Sequence, residues 1–511
     1  DNVTVVGSSM TAWNGGWYVV NGAVTIDGRV TVSGEVHLIL ADNASLTANG
    51  GINVEEGNSF SVYAQSVGEN MGTLTATGQD DAPIAGIGSE VGASCGTITI
   101  NGGKVTATGV GFAAGIGGSG GSGGTITIHG GTVKATGGDL AAGIGGGCRG
   151  SGFNITISGG SVTATGGDNG AGIGGGNGGS GGTVTIHGGN VTASSGDSGA
   201  GIGGGYSGSG GTITINGGRV KANGGDSGAG IGGGRRGSGG EITIHGGSVT
   251  ATGGLSASGI GSGKEGSGVS FATGTDGHAL IVASSISDTS QRESWSGIIF
   301  EGDTGKVYKD QTLQENIEIP SGKTLTVPEN TTLTVNTGVT LTNNGTITGN
   351  GTLGGEGNLV GSGTVANTIR NNLQKDSNVT VEVNSSTATY GSKVDITATI
   401  SKAATISRAA TISRAANAIT RAAENQVEFF VGTDSNKKSL GTANVSGDTI
   451  TIFNVEISQE KGFAVGENTI TAEYGGSMGL KPQTGSTRLT VEGDLKDAIV
   501  TVNGEDFYTN S

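Results

Sequence analysis

Few side chains in this 511-residue sequence are of a kind that does chemistry, and those few recur at one interval. Asp139, Asp168, Asp197 and Asp226 follow one another every 29 residues. If that interval is one coil of a stacked β structure, their carboxylates stand ~4.8 Å apart and repel by about 0.9 kcal/mol in water. Outward splay, bonding to adjacent glycine N–H groups or a bound Ca²⁺ would relieve the repulsion. Aspartate as a turn former is the simpler reading. Calcium is the sharper one, because a hard cation gathers several oxygens, and it is the sole cofactor this sequence brings forward. The calcium-binding nonapeptide of secreted toxins is not matched.

A second set lies where an otherwise uniform repeat varies: Val91-Gly92, Cys148-Arg149, Asn177-Gly178, Tyr206-Ser207, Arg235-Arg236 and Lys264-Glu265. Fixed scaffold positions beside changing turn positions are how a solenoid carries a binding strip. Arg149, Asn177, Tyr206, Arg235, Arg236 and Lys264 suit sugar hydroxyls or acidic sugars and form the candidate ligand strip. The plainer reading is drift at an exposed turn. His129, His187 and His245 alternate with Asn101, Ser158 and Asn216 at one corner. They recur only every second coil, too far apart to share a metal, and read as polar corner residues.

Catalytic constellations are weak. The β-helix lyases and glycosidases gather carboxylates on one face, whereas here acids and bases fall in separate ladders; the one dense acidic group is Asp80, Asp81 and Glu90. GIGGSG at 115–120 fits a dinucleotide loop, yet near-copies recur without the helix such a loop needs. GSGKE at 261–265 lacks the Ser or Thr of a phosphate-binding loop. No catalytic residue is assigned, and the balance leans away from an enzyme.

The element that must position these residues is the repeat itself, AGIGGGYSGSGGTITINGGRVKANGGDSG at 200–228. Its reference glycine falls at Gly86, Gly115, Gly143, Gly172, Gly201, Gly230 and Gly259, in steps of 29, 28, 29, 29, 29 and 29. A fixed period of this size marks a solenoid. Ile126 and Ile128 alternate with Thr125 and Thr127, Val133 and Ala135 continue one strand later, and Ile116 belongs to a third strand. Three strands per coil with glycine corners predict a parallel β-helix. Thr99, Thr127, Thr156, Thr185, Thr214 and Thr243 form an outward ladder. Such columns suit exposed β positions and are also what ice-binding solenoids use, although Asn154 and Glu241 interrupt the neighbouring column.

The expected fold is all-β: a parallel β-helix of about 29-residue glycine-rich coils, followed by an Ig-like β-sandwich. Residues 1–79 read as an N-terminal cap and first coils, with Trp13, Trp17 and Tyr18 as a capping cluster or a sugar-stacking platform. Residues 80–283 are the repeats. Residues 284–370 hold a covering loop with Trp295, then narrower coils stepping by 8 (Leu325, Leu333, Leu341) and by 6 from Thr346. Residues 371–493 form the sandwich, and 494–511 read as the truncated start of a further module. The Ala/Arg insert 402–424 is a helix or a duplicated hairpin.

The formal charge of −16 argues against nucleic-acid binding. No apolar run approaches the length of a membrane span. Four prolines exclude a collagen-like chain, and two cysteines, Cys95 and Cys148, are too few for a disulfide framework. The chain is expected to act as a monomer.

The phrases ATYGSKVDITATI, VEFFVG, LGTANV and NTITAEYGG resemble the bacterial Ig-like repeat domains of surface proteins. The segment from Ala12 to Arg370, opening GWYVVNGAVTIDGRVTVSG, resembles glycine-rich β-helix regions of large surface proteins from Firmicutes. The resemblance implies an extracellular, cell-surface or cell-wall setting and an adhesin-like, carbohydrate-binding role, with glycans or polysaccharides as partners and the Ig-like domain as spacer. A β-helix polysaccharide lyase or glycoside hydrolase is the first rival. A purely structural stalk and an ice-binding solenoid are the others.

Overall fold

The computed structural model describes residues 3–79, 83–121, 124–151, 153–274, 279–373, 377–402, 426–432, 436–444, 449–475, 483–492, 499–502 and 505–508. It divides into two compact units, one of residues 1–314, 322–334 and 347–351, the other of 315–321, 335–346 and 352–511.

The first unit is a right-angled stack of parallel rungs. One coil contains the strands Ile202–Gly203, Thr212–Ile215 and Arg219–Asn223. Each pairs in parallel with its counterpart one repeat on, through Ile202↔Ile231, Thr212↔Glu241 and Arg219↔Ser248. Strand alternation sets the side-chain directions. Ile202, Ile213, Ile215, Val220 and Ala222 point inward and are no more than 1% exposed. Thr212 and Arg219 are exposed, and Thr214 is half-buried on the outer face. The threonine ladder runs unbroken in register from Thr99 to Thr243 and gives way to Ala272 in the next rung. Because one coil buries little by itself, its apolar positions become a core only by stacking on neighbours.

In the first coils, the aromatic cluster divides. A register shift between Asn14 and Gly16 resets the alternation of the strand Ala12–Val20. Trp13 and Tyr18 therefore both face inward, with ring centroids 5.4 Å apart, and Phe60 lies 6.0 Å from Trp13. Trp17 faces outward and lays its ring on His37 at 4.3 Å, with Tyr63 at 5.3 Å. Its ring faces are thus engaged along the stack, which makes this group a brace between coils.

At the far end of the wide coils, Leu280–Ala283 pairs in parallel with Gly297–Glu301, which turns back antiparallel into Thr304–Tyr308. The intervening excursion carries Trp295 into the core, fully buried.

In the second unit, Ile317–Ile319, Thr340–Asn343 and Asn358–Val360 stack in parallel, pairing Ile317↔Leu341 and then Leu341↔Leu359. Those registers advance by 24 and then 18 residues, three times the sequence steps of 8 and 6. A β-sandwich follows. One sheet contains Ser377–Val383, Lys393–Lys402 and Thr449–Glu456. The other contains Thr387–Thr389, Gln483–Glu492, Gly466–Tyr474, Gln426–Val431 and Lys438–Asn444. The sheets share one core that includes Val381, Ile396, Phe429, Ile470 and Leu489. The insert expectation at 402–424 falls, beyond Lys402, outside the described residues. Ile499–Val502 and Glu505–Tyr508 pair as a hairpin.

Candidate functional site

The variable strip owes its geometry to a turn that repeats in every coil. Its second residue is held at positive φ throughout: Gly92 (77°), Gly120 (86°), Arg149 (63°), Gly178 (75°), Ser207 (58°), Arg236 (64°) and Glu265 (63°). Four of the eight non-glycine residues at positive φ among the described residues stand in this column. Glycine fits there freely, whereas another L-residue costs roughly 1 kcal/mol or more. Side chains that persist against such a gradient are better explained by use than by drift. Backbone bonds lock the turns together, with N–H groups of Arg149, Gly178, Ser207 and Arg236 donating to the carbonyls of Asn177, Tyr206, Arg235 and Lys264 at 2.6–2.7 Å.

Successive turns bring side chains from three coils into one cluster. Glu265 accepts from Arg236 Nε at 2.9 Å and from Arg235 Nη2 at 3.0 Å, one arginine on each carboxylate oxygen. Arg236 Nη1 donates to the Tyr206 hydroxyl at 2.7 Å, and the guanidinium lies 5.8 Å from the Tyr206 ring centroid. Beside the cluster runs an open groove of about 500 Å³. Ser151, Ser180, Ser209, Ser238 and Ser267 line it together with Ser207, Arg236 and Glu265.

Of the six candidate strip residues, Tyr206, Arg235 and Arg236 meet in this cluster. Arg149 is exposed and Asn177 half-buried further along the same turn column, and Lys264 is exposed beside Glu265. Glu265 was grouped with Lys264 in the varying pair but not counted among the ligand residues, although it organises the cluster. The serine column was also missed, yet its signal is plain: SG recurs every 29 residues from Ser151 to Ser267.

The acidic ladder stands next door. The strip N–H groups of Asn177, Tyr206, Arg235 and Lys264 donate to the carbonyls of Leu140, Asn169, Ser198 and Ser227, each the residue after one of the four aspartates. Acids and bases therefore occupy adjoining turns. Asp139, Asp168, Asp197 and Asp226 are all exposed, and among the described residues no three acid, His or Cys side chains converge to hold a metal ion. The ladder thus supplies backbone turns rather than a preformed calcium centre. His129, His187 and His245 are exposed at their corner, with His187 Nδ1 3.1 Å from Asn216 Nδ2. Cys95 and Cys148 are free thiols, and burial pushes the Cys95 thiol up to about 12.

Hydrogen bonds from Arg236 and then Arg235 hold the Glu265 carboxyl below the usual carboxylate range, and the same bond from Glu265 raises Arg236. A depressed carboxylate contributes stability that is present above its unfolded pKa and lost as pH falls through its folded pKa. The cluster is therefore expected to stay ionised as pH falls into the ordinary glutamate range. A carboxyl NMR titration should place the Glu265 midpoint below that of the Arg236→Gln variant; equal midpoints would remove the pairing.

A family model described as "Beta helix repeat" matches residues 98–121, 126–148, 155–177, 184–206, 213–235 and 242–264. Those six consecutive segments make this region a β-helix repeat array. Comparison with curated proteins and with solved structures gives no match.

Proposed function

We propose that this chain is an extracellular, adhesin-like glycan-binding protein, in which the β-helix presents the strip and its groove to a saccharide chain and the sandwich serves as spacer. The observation that carries the reading is the left-handed column, where Arg149, Ser207, Arg236 and Glu265 stand in place of an easier glycine beside a hydroxyl-lined groove. Serine hydroxyls repeat at ~4.8 Å along the stack, a spacing that suits the hydroxyl groups of an extended sugar chain. Tyrosine and arginine offer an aromatic body and a planar hydrogen-bonding fork.

Binding is favoured over hydrolysis by the state of the one carboxylate in the cluster. Glycoside hydrolysis needs two carboxyl groups across the scissile bond, one of them able to deliver a proton. Glu265 is instead kept anionic by two arginines.

The test separates stability from function. Arg236→Gly removes the guanidinium and relieves the φ of 64°. Lost surface pairing, about 0.2–1 kcal/mol, is offset by relief of similar size, so the melting temperature should hardly move. Binding on a glycan array should weaken tenfold or more, as is usual when an arginine or tyrosine anchor is truncated, and Tyr206→Ala should do the same. An array on which both variants bind as the parent does would reject the strip as the site.

A further inference from the structure

The Arg235–Arg236 pair is already holding a carboxylate, and that carboxylate belongs to the chain itself. We infer that Glu265 is the built-in occupant of a carboxylate subsite, and that the groove's ligand is an acid-bearing saccharide whose carboxylate replaces Glu265 on the two arginines. The inference rests on the glycan-binding reading and narrows it to uronate- or sialate-type chains.

Three features carry it. Each Glu265 oxygen takes a separate guanidinium, at 2.9 and 3.0 Å, which is the two-point recognition that arginine gives any carboxylate. The pairing is reachable, since the side chains of Arg235, Arg236 and Glu265 are 35%, 51% and 43% exposed, so Glu265 can swing into solvent without leaving a buried charge. And Glu265 is held over the arginines from a left-handed turn at φ 63°, at the rim of the groove, where release loses nothing from the core. Tyr206 fixes the Arg236 guanidinium from its other edge through the 2.7 Å bond, so the fork keeps its aim when its occupant leaves. The aspartates of the adjoining turns and the overall charge of −16 oppose an anionic chain at long range, but at physiological ionic strength this is screened within about 8 Å.

The experiment compares the full chain with Glu265→Gln, which keeps size and backbone strain and removes only the charge. Both are titrated with uronate and sialylated oligosaccharides and with the same chains carboxyl-reduced to neutral alcohols. Support is acid chains binding the parent, and binding Glu265→Gln about tenfold tighter, with reduced chains unaffected by the substitution; two competing exposed pairs amount to roughly that factor. Glu265→Gly, at a φ that glycine adopts easily, should move affinity in the same direction. If acid and reduced chains bind the parent alike and Glu265→Gln changes neither, the inference falls while the glycan-binding reading stands. If Glu265→Gln weakens the acid chains, Glu265 is a contact residue and the inference falls. If no saccharide binds any form, both fall.

Discussion

Gly203→Ala is expected to destabilise its coil by more than about 4 kcal/mol, a loss seen only when something must break. Gly203 sits at φ 133°, and a Cβ there would overlap the carbonyl oxygen of Gly232 in the next coil. Gly88, Gly117, Gly145, Gly174, Gly232 and Gly261 share the positive φ, so relief in one coil would have to be absorbed by its neighbours. Gly178→Ala provides the contrast. Its φ of 75° is one that Arg149, Ser207, Arg236 and Glu265 already adopt in other coils, and the nearest atom to its added Cβ is Arg149 Cγ at 3.7 Å. That substitution should cost about 1 kcal/mol. Denaturant unfolding with hydrogen exchange resolved by coil distinguishes the two. Equal losses would mean that the glycines turn the chain without governing how closely the coils approach.

The second large effect is expected at Trp295. Its side chain is fully buried, edge-on to Phe271 at 5.1 Å and to Tyr308 at 5.4 Å, with the Arg292 guanidinium 5.5 Å from the ring. Phe271 occupies the column that holds Ile242 one rung earlier, so Trp295 closes the apolar interior where the regular repeats end. Trp295→Ala should cost about 3–5 kcal/mol. Since each coil of a solenoid contacts chiefly its neighbours, exchange protection should fall at 269–283 and 297–308 and persist at 144–232. Trp295→Phe should be much milder, because the indole N–H has no hydrogen-bond partner to lose. Uniform loss of protection along the stack would contradict a local plug.

Much of the scaffold was legible in the residues. Inward Ile126, Ile128, Val133 and Ala135 and the third strand at Ile116 follow from alternation of two and a period of 29, both local signals repeated often enough to reinforce one another. The steps of 8 and 6 likewise set the 24- and 18-residue registers of the later rungs. The aromatic residues near the start were harder, because a single bulge at Asn14 to Gly16 decides which rings face inward, and a bulge has no periodic signature.

The sequence by itself determined a parallel β-helix, its inward side chains and the turn column where repeats differ, since those depend on period and polarity alone. Only the tertiary structure decided what that column is. The left-handed φ of Arg149, Ser207, Arg236 and Glu265 is a backbone property that no residue type announces. The meeting of Tyr206, Arg235, Arg236 and Glu265 needs three successive turns in register, and the adjoining acidic turns need backbone bonds from one coil to the next. Those depend on how far each coil advances along the stack, a distance set by close approach of glycine backbones.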